Sequence, residues 1–336
     1  MVRIFTYPRL QNGTGGTSSF YRNFISQLSS DETPSTLSAS NLVLLINATS
    51  NIFFLLKCLF TRKPIVQRLG TPINYVWKSR APLLTRVRYT LGLALVAIIR
   101  RFVASSHIYQ SIQVRDEWLT LHGSVEKPST VIYNGVDLNL FTDNGPALKF
   151  QNFPVIASLE GSHGLERHNI ALRLLNSLVA SGYSPLLLLI GPVTETPESD
   201  LLLSSSMVRS LGKLDHSDIP TYLRSSHMMI STDIIAGCPN SVLESLSCGT
   251  PIIGYDYGVL SELAPPTVSS LVPPFHDPST MNDPGNIDQL ANAAIKIYNN
   301  QDYYRKNARV LALEKYSLGT MANKYLDFFS TYYSAH

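Results

Sequence analysis

Short unbroken apolar runs alternate with helical patterns along this chain. LVLLI at 42–46, LLLLI at 186–190 and MMI at 228–230 have no polar break, the pattern of strands buried on both faces of a parallel sheet. Residues 2–7, 64–69, 106–110, 130–133, 155–159, 208–212, 252–253 and 271–274 read as further strands. Helical spacing falls between them, at 20–28, 52–60, 83–103, 114–121, 172–178 and 219–225. Three more helices follow at 287–298, 303–313 and 321–333. Alternation of this kind predicts an α/β fold with parallel sheets. A length of 336 residues suggests two such domains.

The most informative stretch is 237–262, GCPNSVLESLSCGTPIIGYDYGVLSE. It follows the 228–230 strand. Pro239 suits the first turn of a helix, where a missing N–H costs nothing. Asn240 and Ser241 stand where that helix begins, Val242, Leu243, Leu246 and Cys248 turn inward, and Gly249 ends it. A strand–loop–helix–strand unit results. Its helix start carries unpaired N–H groups and about half a positive charge, which suits a phosphate. Glu244, one turn further in, is placed to accept hydrogen bonds from a pair of sugar hydroxyls.

Composition narrows the class. Apolar residues make up 44% and charged residues 15%, a globular balance. Cys58, Cys238 and Cys248 form no metal-binding spacing and cannot all pair. With no signal-peptide pattern, this usage points to a reducing cytosol, with Cys238 and Cys248 as small packing residues. Residues 1–141 hold 15 Lys and Arg against 6 Asp and Glu, a net +9, while residues 142–336 hold 12 against 18, a net −6. Two domains facing different partners fit that split. Aromatic and basic residues do not interleave as a nucleic-acid platform requires. An anionic membrane surface or a phosphate-bearing acceptor fits the basic half better. Gly13-x-Gly15 is no dinucleotide fingerprint, because Ser18 stands where its third glycine belongs, and no P-loop occurs. In the 83–103 segment the apolar centre is far shorter than the ~20 residues that span a bilayer. Arg86, Arg88, Arg100 and Arg101 flank it. Two compatible readings stand: a domain helix packed on its sheet, and an interfacial helix whose arginines meet anionic headgroups.

The 237–262 stretch resembles the donor-binding segment of family 4 glycosyltransferases, E-x-x-P-N-x-x-x-E-A-x-x-x-G-x-P. Pro239, Asn240, Glu244, Gly249 and Pro251 match, and Ala236 replaces the first glutamate. IYNGVDLNLF at 132–141 is similar to the run that closes the family's first domain, and QRLG at 67–70 to a Q-R-L-D-G stretch of some members. The resemblance implies the GT-B fold, an α/β architecture of two Rossmann-like domains facing a central cleft. The acceptor domain would be 1–141, the nucleotide-sugar domain 142–317, with the helix at 318–336 packing back on the first. It implies a retaining hexosyl transfer from a UDP-sugar or GDP-sugar to a hydroxyl of a glycan or lipid-linked acceptor. Surface polysaccharide or glycoconjugate synthesis is the expected setting, on the cytoplasmic side and peripheral to the membrane.

Site residues follow by position. Gly15 and Gly16 match the family's Gly-Gly loop near the donor phosphates. Arg167 matches a lysine that grips the diphosphate, while the family's companion arginine is lost near Gly161 or Ser162. His163 and His168 lie beside it as further candidate contacts. Gly212 and Leu214 belong to the loop that seats the base. Asn240, Ser241 and Val242 offer amides, and Glu244 binds ribose. Arg167 and Gly16 are the expected catalytic pair. Arg68 is expected either to meet acceptor or phosphate or to form a structural salt bridge. With Arg86, Arg88, Arg100 and Arg101 it makes up the acceptor and membrane set. No metal, cofactor or nucleic acid is expected. The losses at Ala236 and near Gly161 keep a second reading open, a nucleotide-sugar-binding protein with weakened catalysis.

Overall fold

The computed structural model describes residues 2–10, 15–49, 51–72, 82–159, 165–193, 197–232, 236–273 and 287–333. The chain divides into two compact units. Unit 1 is Met1–Gly135, Ile235–Cys238 and Ser317–His336; unit 2 is Val136–Ile234 and Pro239–Tyr316.

Unit 1 is a parallel sheet in the order β1-β2-β3-β4-β5: β1 Ile4–Tyr7, β2 Leu42–Ile46, β3 Ile65–Leu69, β4 Ser106–Tyr109, β5 Ser129–Val131. Every residue of β2, β3 and β4 is buried. That is why β2 reads as an unbroken apolar run. Helices α1 (Gly16–Ile25) and α12 (Leu318–Tyr333) cover one face, through Phe20, Phe24, Tyr325 and Phe329 against Ile4 and Leu44. Helices α2 (Ile52–Phe60) and α3 (Leu83–Ile98) cover the other, with Leu55, Cys58 and Leu95 against Val43, Leu45 and Ile65. After α1 the chain rounds the β1 edge, where Ile4 N donates to Glu32 O at 2.7 Å, before Leu37 joins the α2 side. Asn51 caps α2, its side chain accepting from Phe54 N at 3.0 Å.

One expected helix at 83–103 divides into α3 and a π-helical turn, Ile99–Val103. A wide turn frees carbonyls at its end. Lys127 Nζ satisfies two of them, donating to Arg101 O at 2.9 Å and Ala104 O at 2.6 Å. Helix α4, Ile112–His122, starts on Ser111, whose hydroxyl accepts from Val114 N at 3.1 Å.

Unit 2 is a parallel sheet in the order β11-β10-β9-β6-β7-β8: β6 Val155–Ser158, β7 Leu186–Ile190, β8 Val208–Gly212, β9 Met228–Ser231, β10 Ile252–Tyr255, β11 Ser269–Val272. The chain lays β7 and β8 to one side of β6 and then returns to lay β9 on the other, pairing Ala157 with Met229. The reversal makes a topological switch point between the carboxyl ends of β6 and β9, the usual ligand position in an open α/β sheet. Helix α5 (Leu165–Ala180) follows β6 and α8 (Asn240–Ser247) follows β9. Unit 2 also has α6 (Pro197–Leu203), α7 (Ile219–Ser225), α9 (Leu260–Leu263), α10 (Ile287–Tyr298) and α11 (Gln301–Lys315). Sequence reasoning missed α6 and α9, which are 7 and 4 residues long.

Each unit carries one histidine whose pKa is lowered to about 4: His107 on β4, and His227 just before β9. Burial is the main cause in both. Both are neutral in the folded chain and gain a proton on unfolding below pH ~6.5. Their contribution is therefore complete above ~6.5 and is lost as pH falls towards 4. The expected loss at pH 5 is about 2 kcal/mol for each. Urea melts at pH 7.5 and pH 5 measure it, and equal midpoints would contradict the burial assigned to both rings.

Candidate functional site

The site is built on the switch point of unit 2. Pro239, with φ −67° and ψ 121°, holds the N-cap of α8 in an extended conformation and opens the helix at Asn240. Gly249, at φ 68°, ends it in a region that favours glycine. Val242, Leu243 and Leu246 are buried, while Asn240, Ser241 and Glu244 are partly exposed. The N-cap itself, a proline, makes no side-chain capping hydrogen bond. The far end of α8 is tied down: Arg309 Nη1 donates to Ser247 O at 2.8 Å and Phe141 O at 2.9 Å, and its Nε pairs with Asp143 at 3.2 Å. A cation at the carboxyl end complements the helix dipole. The amide-rich end stands over the sheet's ligand edge.

Glu244 lies one turn into α8. Its Oε1 is 3.0 Å from His216 Nε2. The carboxylate is mostly buried and the imidazole mostly exposed. His216 sits edge-on to Phe141, with ring centroids 4.9 Å apart. It comes from the loop after β8, which begins at Gly212 with φ 61°. Leu214 is half-buried in the same loop. The sequence had singled out Glu244 and the loop but not their junction. The two residues are 28 positions apart, and no local pattern reports such a contact.

On the other side of the switch point, the backbone of Arg167 lies in the first turn of α5. Its side chain, like that of His168, lies outside the described residues, as do Gly161, Ser162 and His163. Two helix starts therefore follow two adjacent strands, one with a cationic residue in its first turn and one opened by a proline N-cap. Such a pair suits an extended anion such as a diphosphate.

In unit 1, Gly15 and Gly16 open α1 and both are exposed. Gly15 has φ 91°, so its conformation calls for glycine, whereas a Cβ at Gly16 would meet nothing within 4 Å. The basic set divides. Arg88 and Arg101 are exposed and Arg86 partly so. Arg68 and Arg100 are each 1% exposed, which corrects their expected place on an acceptor or membrane surface. Arg68 Nε donates to Tyr325 Oη at 3.1 Å, its Nη2 donates to Asn134 Oδ1 at 2.6 Å, and its guanidinium lies 3.6 Å over Phe20. Uncharged partners thus hold it, not the expected salt bridge. Arg100 Nε donates to Tyr109 Oη at 3.2 Å and Nη2 to Gly123 O at 3.0 Å. Both guanidinium groups tie elements of unit 1 together.

All three cysteines are buried. Burial pushes the Cys58 thiol up to about 11 and Cys248 up to about 12, so neither supplies a thiolate at neutral pH. The backbone N–H of Asn134 points at Cys238 Sγ at 3.3 Å.

Residues 148–310 match the family model described as Glycosyl transferases group 1. Among solved structures, Anabaena HepE in complex with UDP and glucose superposes with a TM-score of 0.71 at 17% identity, covering 98% of this chain and 100% of its own. A glycosyltransferase from Rickettsia africae gives 0.66 at 14% identity, over 96% and 84% of the two chains. Sucrose-phosphate synthase from Thermosynechococcus elongatus gives 0.63 at 16%, over 88% and 75%. No curated protein sequence matches the chain.

Proposed function

We propose, from the premise that residues 148–310 are a group 1 glycosyltransferase domain and the chain a glycosyltransferase of GT-B fold, that it transfers a sugar from UDP to an acceptor hydroxyl. The observation that carries this reading is the switch point of unit 2, with the starts of α5 and α8 at its edge and Glu244 one turn into α8. The UDP complexes of HepE favour UDP over GDP as the carrier. The acceptor is a glycan or lipid-linked hydroxyl, and the product retains the anomeric configuration. Surface polysaccharide or glycoconjugate assembly at the cytoplasmic face of a membrane is the setting.

The chemistry asks little of a protein nucleophile. Negative charge builds on the leaving diphosphate as the glycosidic bond stretches. Fixed donors aimed at that charge lower the barrier, each by about 3–4 kcal/mol. The amides at Asn240, Ser241 and Val242 and the cation at Arg167 fill this role. A donor phosphate oxygen takes the acceptor proton, and the reading needs no metal. Glu244 accepts the ribose hydroxyls on the oxygen that His216 leaves open, and His216 fixes the rotamer of the carboxylate.

Glu244→Gln removes the charge that strengthens those hydrogen bonds. UDP affinity, measured by calorimetry, is expected to fall about tenfold or more. Unchanged affinity would place the ribose elsewhere. A second reading rests on Ala236, where the family's first glutamate is replaced: a UDP-sugar-binding protein with weakened catalysis. Binding of UDP-sugar with neither transfer nor slow donor hydrolysis would favour it.

A further inference from the structure

Between Thr33 and Arg115 the chain has eleven Lys and Arg and no Asp or Glu. Helices α2 and α3 lie inside that stretch, on the same face of the unit 1 sheet. Helix α2 turns Leu55 and Cys58 inward, and among the described residues α3 joins the apolar clusters through partly buried residues near its end, Leu93, Leu95, Val96 and Ala97. None of the 16 residues of α3 is fully buried. The sides turned away from the sheet carry the same motif. Phe53, Lys57 and Phe60 on α2, and Leu84, Arg88 and Leu91 on α3, fall at i, i+4 and i+7, one stripe of a helix with a cation between two large apolar side chains. Phe53 is 80% exposed, Phe60 88% and Leu84 85%. Phe102, 73% exposed, continues the surface beside Arg101.

Water is a poor neighbour for such a surface, and a monomer seldom presents large apolar groups so densely. We propose that the outward sides of α2 and α3 form one docking face for an anionic bilayer. Phe53, Phe60, Leu84 and Leu91 enter the acyl boundary, and Lys57, Arg88 and Arg101 meet the headgroup phosphates. Charge complementarity selects an anionic occupant over a basic or neutral one, because nothing in 33–115 carries negative charge, and the large apolar side chains beside the cations suit a bilayer's acyl boundary. Among the described residues no helix is long and apolar enough to cross a membrane, so the contact is interfacial. The inference deepens the membrane-side setting proposed above by naming its surface. It adds α2, which the sequence shows only as a short apolar helix.

The test is sedimentation of the full chain with vesicles of phosphatidylcholine alone or mixed with phosphatidylglycerol. The expected result is binding to the mixed vesicles only, weakening with salt. Phe53→Ser with Phe60→Ser is expected to lower the binding constant on the order of 10²-fold. Arg88→Ser and Arg101→Ser should each lower it about fivefold. All four side chains are exposed, and an unchanged urea midpoint checks that the variants fold. Equal binding by the phenylalanine double variant and the parent would overturn the proposal. So would a parent that ignores both vesicles and elutes as a dimer that the double variant splits, since the face would then pair two copies. UDP calorimetry on the same proteins separates the readings. Loss of UDP binding with vesicle binding intact removes the donor assignment and leaves the docking face standing.

Discussion

Arg167→Ala is expected to cut turnover about 10²-fold or more, with UDP affinity changed less than about tenfold. The difference between the two numbers is the point of the prediction. Arg167 lies in the first turn of α5, where the helix dipole disfavours a cation. An anion at the same place reverses that preference. The charge on the leaving diphosphate is larger in the transition state than in the bound donor, so the missing cation is felt most in the chemical step. Arg167→Lys keeps the charge but not the forked geometry, and should recover part of the loss. Single-turnover rates with a UDP-sugar, set beside calorimetry with UDP, make the measurement. Turnover equal to the parent's would mean that another group balances the diphosphate charge.

The largest expected effect on stability is at Gly254, inside β10. A Cβ there would lie far inside contact distance of Ser231 O and 3.2 Å from Leu260 Cδ2. The strand cannot bow away, because β9 pairs on one side and β11 on the other. Gly254→Ala should therefore destabilise unit 2 by about 3 kcal/mol or more. Ser231 is the last residue of β9, the strand that leads to α8, so UDP affinity should weaken as well. Urea unfolding followed by near-UV circular dichroism reports the first effect. A midpoint matching the parent's would show that the two strands are less closely packed than this.

Much of the fold was legible because parallel sheets write themselves as apolar runs. β2, β7 and α2 stand at the bounds the sequence predicts. Helix α8 was readable too, since proline, asparagine and glycine at its ends each have a local steric reason to be there. What failed was local reasoning about charge. Arg68 reads as a ligand contact or a salt bridge and Arg100 as a surface cation, yet one reaches Tyr325, 257 positions away, and the other folds back on Gly123. A guanidinium held by hydroxyl and carbonyl oxygens has no acidic partner in the sequence to betray it. The His216–Glu244 pair was hidden by its separation of 28 positions. The exposure of Phe53 and Phe60 was equally out of reach, because the apolar pattern of α2 does not say which of its sides meets the sheet.

The packing of α12 on α1 has a consequence for how the chain matures. Phe20 and Phe24 wait for Tyr325 and Phe329, which leave the ribosome some three hundred residues later. At ordinary rates of synthesis the first sheet has only α1 over that side for roughly 10–40 s after its last strand has emerged. Unit 2 is complete in sequence by then. The later half of the polypeptide is thus the first that can close its core.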